Sequence, residues 1–467
     1  MSKITGKNVL RPARREAHYV QSVAQVVAAA NSLAPGPDFD WFAPNPEAKA
    51  AVHVKDGKYE SSLSAQAALL GGCAEGVKAT SLRVEAGDGK TGGVFVQGKG
   101  SFEVDGAWIS LSGDCDGIGG PATGAAVCDG GELVVRNAVI NASGLTHYAT
   151  VAERGSVLKV YDSVLTSHGA PFANGEPQPN MPMQTPPPPL MIDGNSRTHC
   201  TMTNSESYFY NSTIIADGWG ALSTEAAEGY VLIEANDCTV VTVRRGYATY
   251  VDPGCHVRLN RCKVDSADMC AIVGGECELS IVDSDVNCGA NFLLMHSVFG
   301  VPEEVSEVTI KGGKIRSVND SMLIKSRNIE MVLDGTDICA ENGVLIRSIH
   351  NEDFLATPVG EDPYGVSIEM KNMTAEGDII HTDDEREMWL KLTDTVVHGA
   401  ICGAHVELNE GSRWIASADC EVTLIGELNP AQIDAPEGVM IRMHADEQGS
   451  LKLASGGVLE LIDYTLI

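Results

Sequence analysis

Asp193, Glu225 and His296 are the residues of this chain best suited to move protons, and each follows the same point of a repeating phrase. Two carboxylates held in neighbouring strands perturb one another, leaving one protonated beside an ionised partner near neutral pH. Histidine is the side chain that titrates nearest neutrality. Lys325 and Arg347 fall at the same point further along and would hold negative charge developing on an oxygen. His147, Tyr148, Trp219, Arg244 and Tyr247 flank the set. Rings of this kind stack on sugar or phenolic rings, and the cations anchor their oxygens. Asp193, Glu225 and His296 are therefore the candidate catalytic residues, and the other seven the candidate substrate contacts. The plainer alternative is an acidic protein that scatters charges over any exposed face, with Tyr and Trp covering loop bases.

The elements that would position these residues come from a repeat. Two or three alternating apolar residues, a polar pair and a second short apolar run recur as LVVRNAVI, LKVYDSVL, YFYNSTII, LIEANDCTVV, VRLNRCKV and LSIVDSDV. The polar turn residues are Asn137, Asp162, Asn211, Asp237, Arg261, Asp283, Gly312, Gly335, Asn372 and Asp394, at steps of 25, 49, 26, 24, 22, 29, 23, 37 and 22. A basal period with occasional insertions marks a solenoid. The period-2 alternation makes the elements strands. A third short strand closes each repeat, as in HYATVAERG, ALSTEAAEG and YATYVDPG. Three strands per period predict one turn of a right-handed parallel β-helix. A leucine-rich repeat would need an L-x-x-L-x-L frame with a helical segment, and neither is present.

In the third strands Val151, Ile192, Thr224, Tyr250, Val273, Met295, Ile324 and Ile346 are expected to point inward. Asp193, Glu225, His296, Lys325 and Arg347, one residue later, then face outward. Cys238 and Cys262 follow the turn where Ser163, Ser212 and Ser284 also sit, which predicts a ladder of small side chains along the axis rather than a metal site.

The fold class predicted is all-β, a single-stranded right-handed parallel β-helix with a short helical N-terminal cap. Residues 1–81 read as cap and lead-in, with an amphipathic helix over 14–33, 82–403 as the β-helix, and 404–467 as last coils and C-terminal cap. The largest insertion, 169–189, holds eight of the chain's twenty prolines. It is expected to be an extended wall or lid over the third-strand face.

These repeats resemble the right-handed parallel β-helix, or pectin-lyase-like, superfamily, a resemblance of architecture running from about Leu82 to the C-terminus. It implies the fold and a choice of activities: polysaccharide lyases, glycoside hydrolases, uronate epimerases and non-enzymatic adhesins or tailspikes. The hydrolase branch's N-T-D, D-D, G-H-G and R-I-K segments are not in this chain, nor is the lyase branch's R-x-P-x-x-R, so no catalytic residue carries over.

Composition narrows the field further. Lys plus Arg number 33 against 63 Asp plus Glu, a formal charge of −30, which opposes binding to nucleic acid or an anionic membrane. Residues 1–15 carry Lys3, Lys7, Arg11, Arg14 and Arg15 without the apolar core of a secretory signal, and the thirteen cysteines contain no C-x-x-C pair, so a cytoplasmic location is expected. No cofactor is expected. The acidic run Asp383, Asp384, Glu385 and Glu387 would suit Ca²⁺ by composition but reads as a solvated loop. The first functional expectation is a carbohydrate-active lyase, hydrolase or epimerase. The alternatives are an intracellular, cofactor-independent isomerase, lyase or transferase on a small hydroxylated ring, or a non-enzymatic binding module. The partner is a small molecule or glycan, and homo-oligomerisation is left open.

Overall fold

The computed structural model describes residues 3–6, 11–14, 45–115, 117, 119–170, 186–192, 194–225, 229–297, 301–325, 328–353, 356, 357, 359, 360 and 363–463. Among them there is no α-helix, and nearly every regular element is a strand. Two compact units form, one of residues 20–272 and one of 273–467 with the first nineteen residues.

The turn residues explain why the chain folds this way. All ten adopt positive φ, from 48° at Asn211 and Asp283 to 63° at Gly335. That left-handed conformation suits Asn, Asp and Gly, whose side chains bond locally or lack Cβ. Each turn bends the chain between two strands that pair in parallel with the repeat before. Val157–Tyr161 thus lies between Glu132–Arg136 and Glu206–Tyr210, and Val164–His168 beside Thr213–Asp217. Forcing a β-branched residue into this corner should be costly. Asn211→Val is expected to lower unfolding free energy by about 1–2 kcal/mol, and Asn211→Gly by much less, as read by urea denaturation. Equal losses for both would point instead to the bond from Asn211 Nδ2 to Asp162 Oδ1, 2.6 Å.

The expected ladder of small side chains is present. Ser163, Ser212, Cys238, Cys262 and Ser284 are all buried. The hydroxyl of Ser163 accepts from the Ala138 N–H, and that of Ser212 from the Ser163 N–H. None of the thirteen cysteines is in a disulfide.

In the 20–272 unit the third strands form one parallel sheet. Its order is Lys49–Lys55, Thr91–Gln97, Ala125–Cys128, Thr150–Ala152, Arg197–Thr201, Gly220–Thr224 and Tyr247–Val251. The sheet therefore starts ahead of Leu82. Within the 273–467 unit, Leu293–His296, Met322–Lys325, Val344–Ile349, Asp378–His381 and Ile401–Cys402 pair in parallel in that order. Long parallel sheets visited in turn by short strands are consistent with a β-helix-like fold.

The N-terminal helix expected over 14–33 lies, Arg14 apart, outside the described residues. What is described of the N-terminus is extended. Ile4–Thr5 pairs antiparallel with Glu427–Leu428, and Arg14 reaches Glu307 at 2.5 Å. Lys3 and Arg14 thus answer carboxylates of the 273–467 unit, at Glu427 and Glu307. No helix among the described residues is long and apolar enough to cross a membrane.

Candidate active site

The third-strand sheet of the 20–272 unit is buried on both faces, and the contacts settle which face is which. His199 packs its ring on Phe209 at 4.8 Å, and Thr201 bonds Ser207, so both point inward. A Cβ added at Gly93 or Gly124 would meet Ile109 or Ile140, so the corner residue before each strand also points inward. Two successive inward residues at the corner reset the alternation. Phe95, Ala126, Val151 and Cys200 consequently lie on the outer face, where they form a second buried cluster with Ala50, Cys128, Tyr148 and Met202.

This corrects the expected register. Val151 and Tyr250 face outward, not inward. Cys200, not Ile192, stands beside Val151 and Ser223, because Arg197–Thr201 is the strand of that coil, and Ser223, not Thr224, stands beside Tyr250. Thr224 keeps its inward place and Glu225 its outward one.

Glu225 lies at the centre of the resulting cluster. Its Oε1 is 2.5 Å from Nη2 of Arg197, and both side chains are largely covered. Arg197 Nη1 also donates to the Tyr148 hydroxyl and to Asn195 Oδ1, each at 2.6 Å. Tyr247 reaches Ser223 Oγ at 3.1 Å and meets the Tyr250 ring edge-on at 5.6 Å. Gly220 makes room for it, since a Cβ there would lie 2.4 Å from the Tyr247 ring. Ser223 beside Tyr250 puts Glu225 and Asp252 at matching ends of neighbouring strands, with backbones about 4.8 Å apart. The Asp252 N–H donates to Thr224 Oγ1 at 2.8 Å.

Burial and the charge of Glu225 push the Asp252 carboxyl well above the ordinary aspartate range, against the pull of Arg197; Asp252 keeps some accessible surface but is densely surrounded. Burial also raises the hydroxyls of Tyr148, Tyr247 and Tyr250. Burial opposes the charge of Arg197, yet Glu225 and the tyrosines hold its pKa well above the usual value. The site therefore brings together a fixed cation, a carboxylate paired to it, a carboxyl disposed to stay protonated, and three phenols. Proton transfer at a hydroxylated ring needs such parts.

Asp193 lies outside the described residues, as do 171–185 of the expected lid. Tyr148 and Tyr247 are in the cluster as anticipated. His147 is buried rather than facing a groove, with Nδ1 2.8 Å from Gly113 O and Nε2 3.2 Å from Ala122 O, and burial lowers its pKa. Trp219 is buried packing against Gly194. Arg244 is exposed and held by Asp217 at 2.5 Å. Arg197, Ser223 and Asp252 were not singled out from the sequence, and Tyr250 was expected to point inward; no catalytic motif marked them.

The 273–467 unit holds the other three candidates, and each departs from expectation. His296 is 2% exposed, not surface-facing. Lys325 is buried in an ion pair with Asp353. Arg347 pairs with Asp320 at 2.6 Å and stands beside Leu323, while Ile349 is the neighbour of Lys325. Met295 and Ile324 do lie side by side and buried, as expected. His350, Asp383 and Asp384 bring ligand atoms within 4.8 Å of one another, the one metal-capable grouping among the described residues; His350 also pairs with Glu385 at 3.0 Å.

At the outer end of the strand after Val151, Glu153 is buried against Arg154, 2.9 Å away, and burial raises its pKa to about 7. A carboxyl raised in the folded state binds protons that the unfolded chain releases. Stability is therefore expected to fall as pH rises from about 4.5 to about 7 and to level off beyond. Glu153→Gln should reduce that slope between about pH 4.5 and 7 in urea titrations, leaving the part that Asp252 carries; an unchanged slope would show that Glu153 binds protons alike in the folded and unfolded chain.

Compared with known proteins, the chain matches no protein-family model and no curated protein.

Proposed function

We propose that the chain is an enzyme that moves protons on a hydroxylated ring of the carbohydrate type, as a lyase, hydrolase or epimerase. The carrying observation is the arrangement of Arg197 on Glu225, beside Asp252, among Tyr148, Tyr247 and Tyr250. In this reading Asp252 is the acid that protonates a leaving or ring oxygen, and Glu225 takes the proton or attacks the ring carbon. Arg197 orients Glu225. Tyr250, the one of the three tyrosines that keeps accessible surface, is the ring a substrate would meet, with Tyr148 and Tyr247 buried at 1% exposure holding Arg197 and Ser223 from behind. The scaffold we propose is a right-handed parallel β-helix of the pectin-lyase-like kind, on the strength of the αL corners and the parallel registers. Thirteen cysteines, none in a disulfide, favour a reducing compartment such as the cytoplasm.

A second reading, an isomerase, lyase or transferase on a small phenolic or sugar ring, is favoured by the depth of the cluster. Three covered tyrosines suit one ring better than a polymer. Incubation with neutral oligosaccharides, free sugars, inositols and phenolic acids, followed by proton NMR, separates the two. Turnover of oligosaccharides supports the first reading, and turnover of monocyclic compounds alone supports the second. No turnover or binding of any compound class would overturn both.

A further inference from the structure

In the 273–467 unit, a groove of about 350 Å³ opens on the outer face of the sheet containing Val366–Lys371, Met388–Thr393 and Ala404–Leu408. Its floor is two rows of outward side chains. One row runs Glu330, Ser367, Trp389, His405 across four adjacent strands; the other runs Glu369, Lys391, Glu407. At about 4.8 Å per strand the longer row spans about 14 Å. Trp389 and His405 stack at 4.2 Å with their planes 13° apart. Ser367, the one small residue of its row, leaves a niche beside the indole. Arg11 forms the niche's wall, bonding Ser367 Oγ at 2.5 Å and lying 3.9 Å over the Tyr364 ring.

The polar inventory of this groove selects its ligand. Trp389 Nε1, Arg11 Nε and His405 Nδ1 are buried with no hydrogen-bond partner among the described residues. The first two can only donate, so the complement must offer acceptor oxygens. The carboxylates of the groove are already answered by the protein: Glu369 by Lys371 at 2.9 Å and the Thr393 hydroxyl at 3.2 Å, Glu407 by Lys391 at 3.6 Å, and Glu330 by the Tyr364 hydroxyl at 3.2 Å. With its charges compensated, the groove offers neither an anion nor a cation an unopposed partner, and a cation would also leave the indole and guanidinium donors unmatched. A hydroxyl both donates and accepts, and an aromatic wall suits the apolar face of a sugar ring.

We propose that this groove binds an uncharged polyhydroxylated ligand, a neutral oligosaccharide longer than one ring. The proposal does not rest on the acid–base reading of the Glu225 cluster, which belongs to the other unit.

Calorimetric titration of the full chain with maltohexaose, cellohexaose and xylohexaose tests it, with polygalacturonate and spermine as the charged comparators. At least one neutral hexasaccharide is expected to bind more tightly than either comparator, and Trp389→Ala is expected to weaken it at least about tenfold. Because Trp389 is well covered, Glu369→Gln is the second variant. It sits on the surface row, keeps the side chain's shape, and is expected to weaken the same ligand while the far-ultraviolet dichroism stays unchanged. Glu225→Gln should leave this binding as it is, so that a failure of the catalytic reading and a failure of the groove are told apart. The proposal is overturned if no neutral hexasaccharide binds at millimolar concentration, if polygalacturonate or spermine binds more tightly, or if both groove variants bind as the unaltered protein does.

Discussion

Glu225→Gln is expected to lower turnover at least about a hundredfold, the scale of losing a positioned acid or base. The amide keeps an oxygen for Arg197, so the fold should be retained and the loss should appear in kcat rather than in KM. Glu225→Ala would behave differently. It leaves a guanidinium that is 14% exposed with no carboxylate 2.5 Å away, and removing one partner of a covered pair destabilises by about 3 kcal/mol or more. An amide variant as active as the unaltered protein would remove Glu225 from the proposed chemistry. An alanine variant as stable as the amide would show that Arg197 is solvated in its absence.

The second large effect concerns Lys325. Its ammonium is buried with the Asp353 carboxylate, at 7% and 9% side-chain exposure. Lys325→Met should strand that carboxylate and cost about 3–5 kcal/mol in urea unfolding, whereas Lys325→Met with Asp353→Leu should recover most of the loss. A double-variant loss equal to the sum of the Lys325→Met and Asp353→Leu losses would mean that the two side chains act independently. The same burial makes His296→Ala a stability change first, in contrast to its expected role as a surface proton carrier.

The parts of the fold legible in the sequence were those where one physical cause acts alone. Asn137, Asp162 and Asn211 are readable because a left-handed corner admits few residue types, and the strands on either side bury one face and expose the other. The third strands obey a different rule. Gly220–Thr224 is buried at every position and Tyr247–Val251 at all but Tyr250, so polarity no longer alternates. Two consecutive inward residues at each corner, such as Ala149 and Thr150, then turn over every assignment counted from the wrong end. Glu225 was placed correctly because it was counted from Thr224, which is inward. Val151 was not, because an apolar residue on an outer face covered by other chain segments looks like core. Asp252 is the carboxylate that the described residues place at the end of the strand beside Glu225, whereas Asp193 lies outside them.

The account turns on where a substrate sits. The most direct measurement is a crystal structure of the Glu225→Gln variant with a compound that the unaltered enzyme turns over. The predicted result places its ring against Tyr250, with the reacting carbon or its oxygen within hydrogen-bond reach of residue 225 and of Asp252. A substrate bound elsewhere, whether in the Trp389 groove or beside His296, with the space between Glu225 and Asp252 untouched, would contradict it.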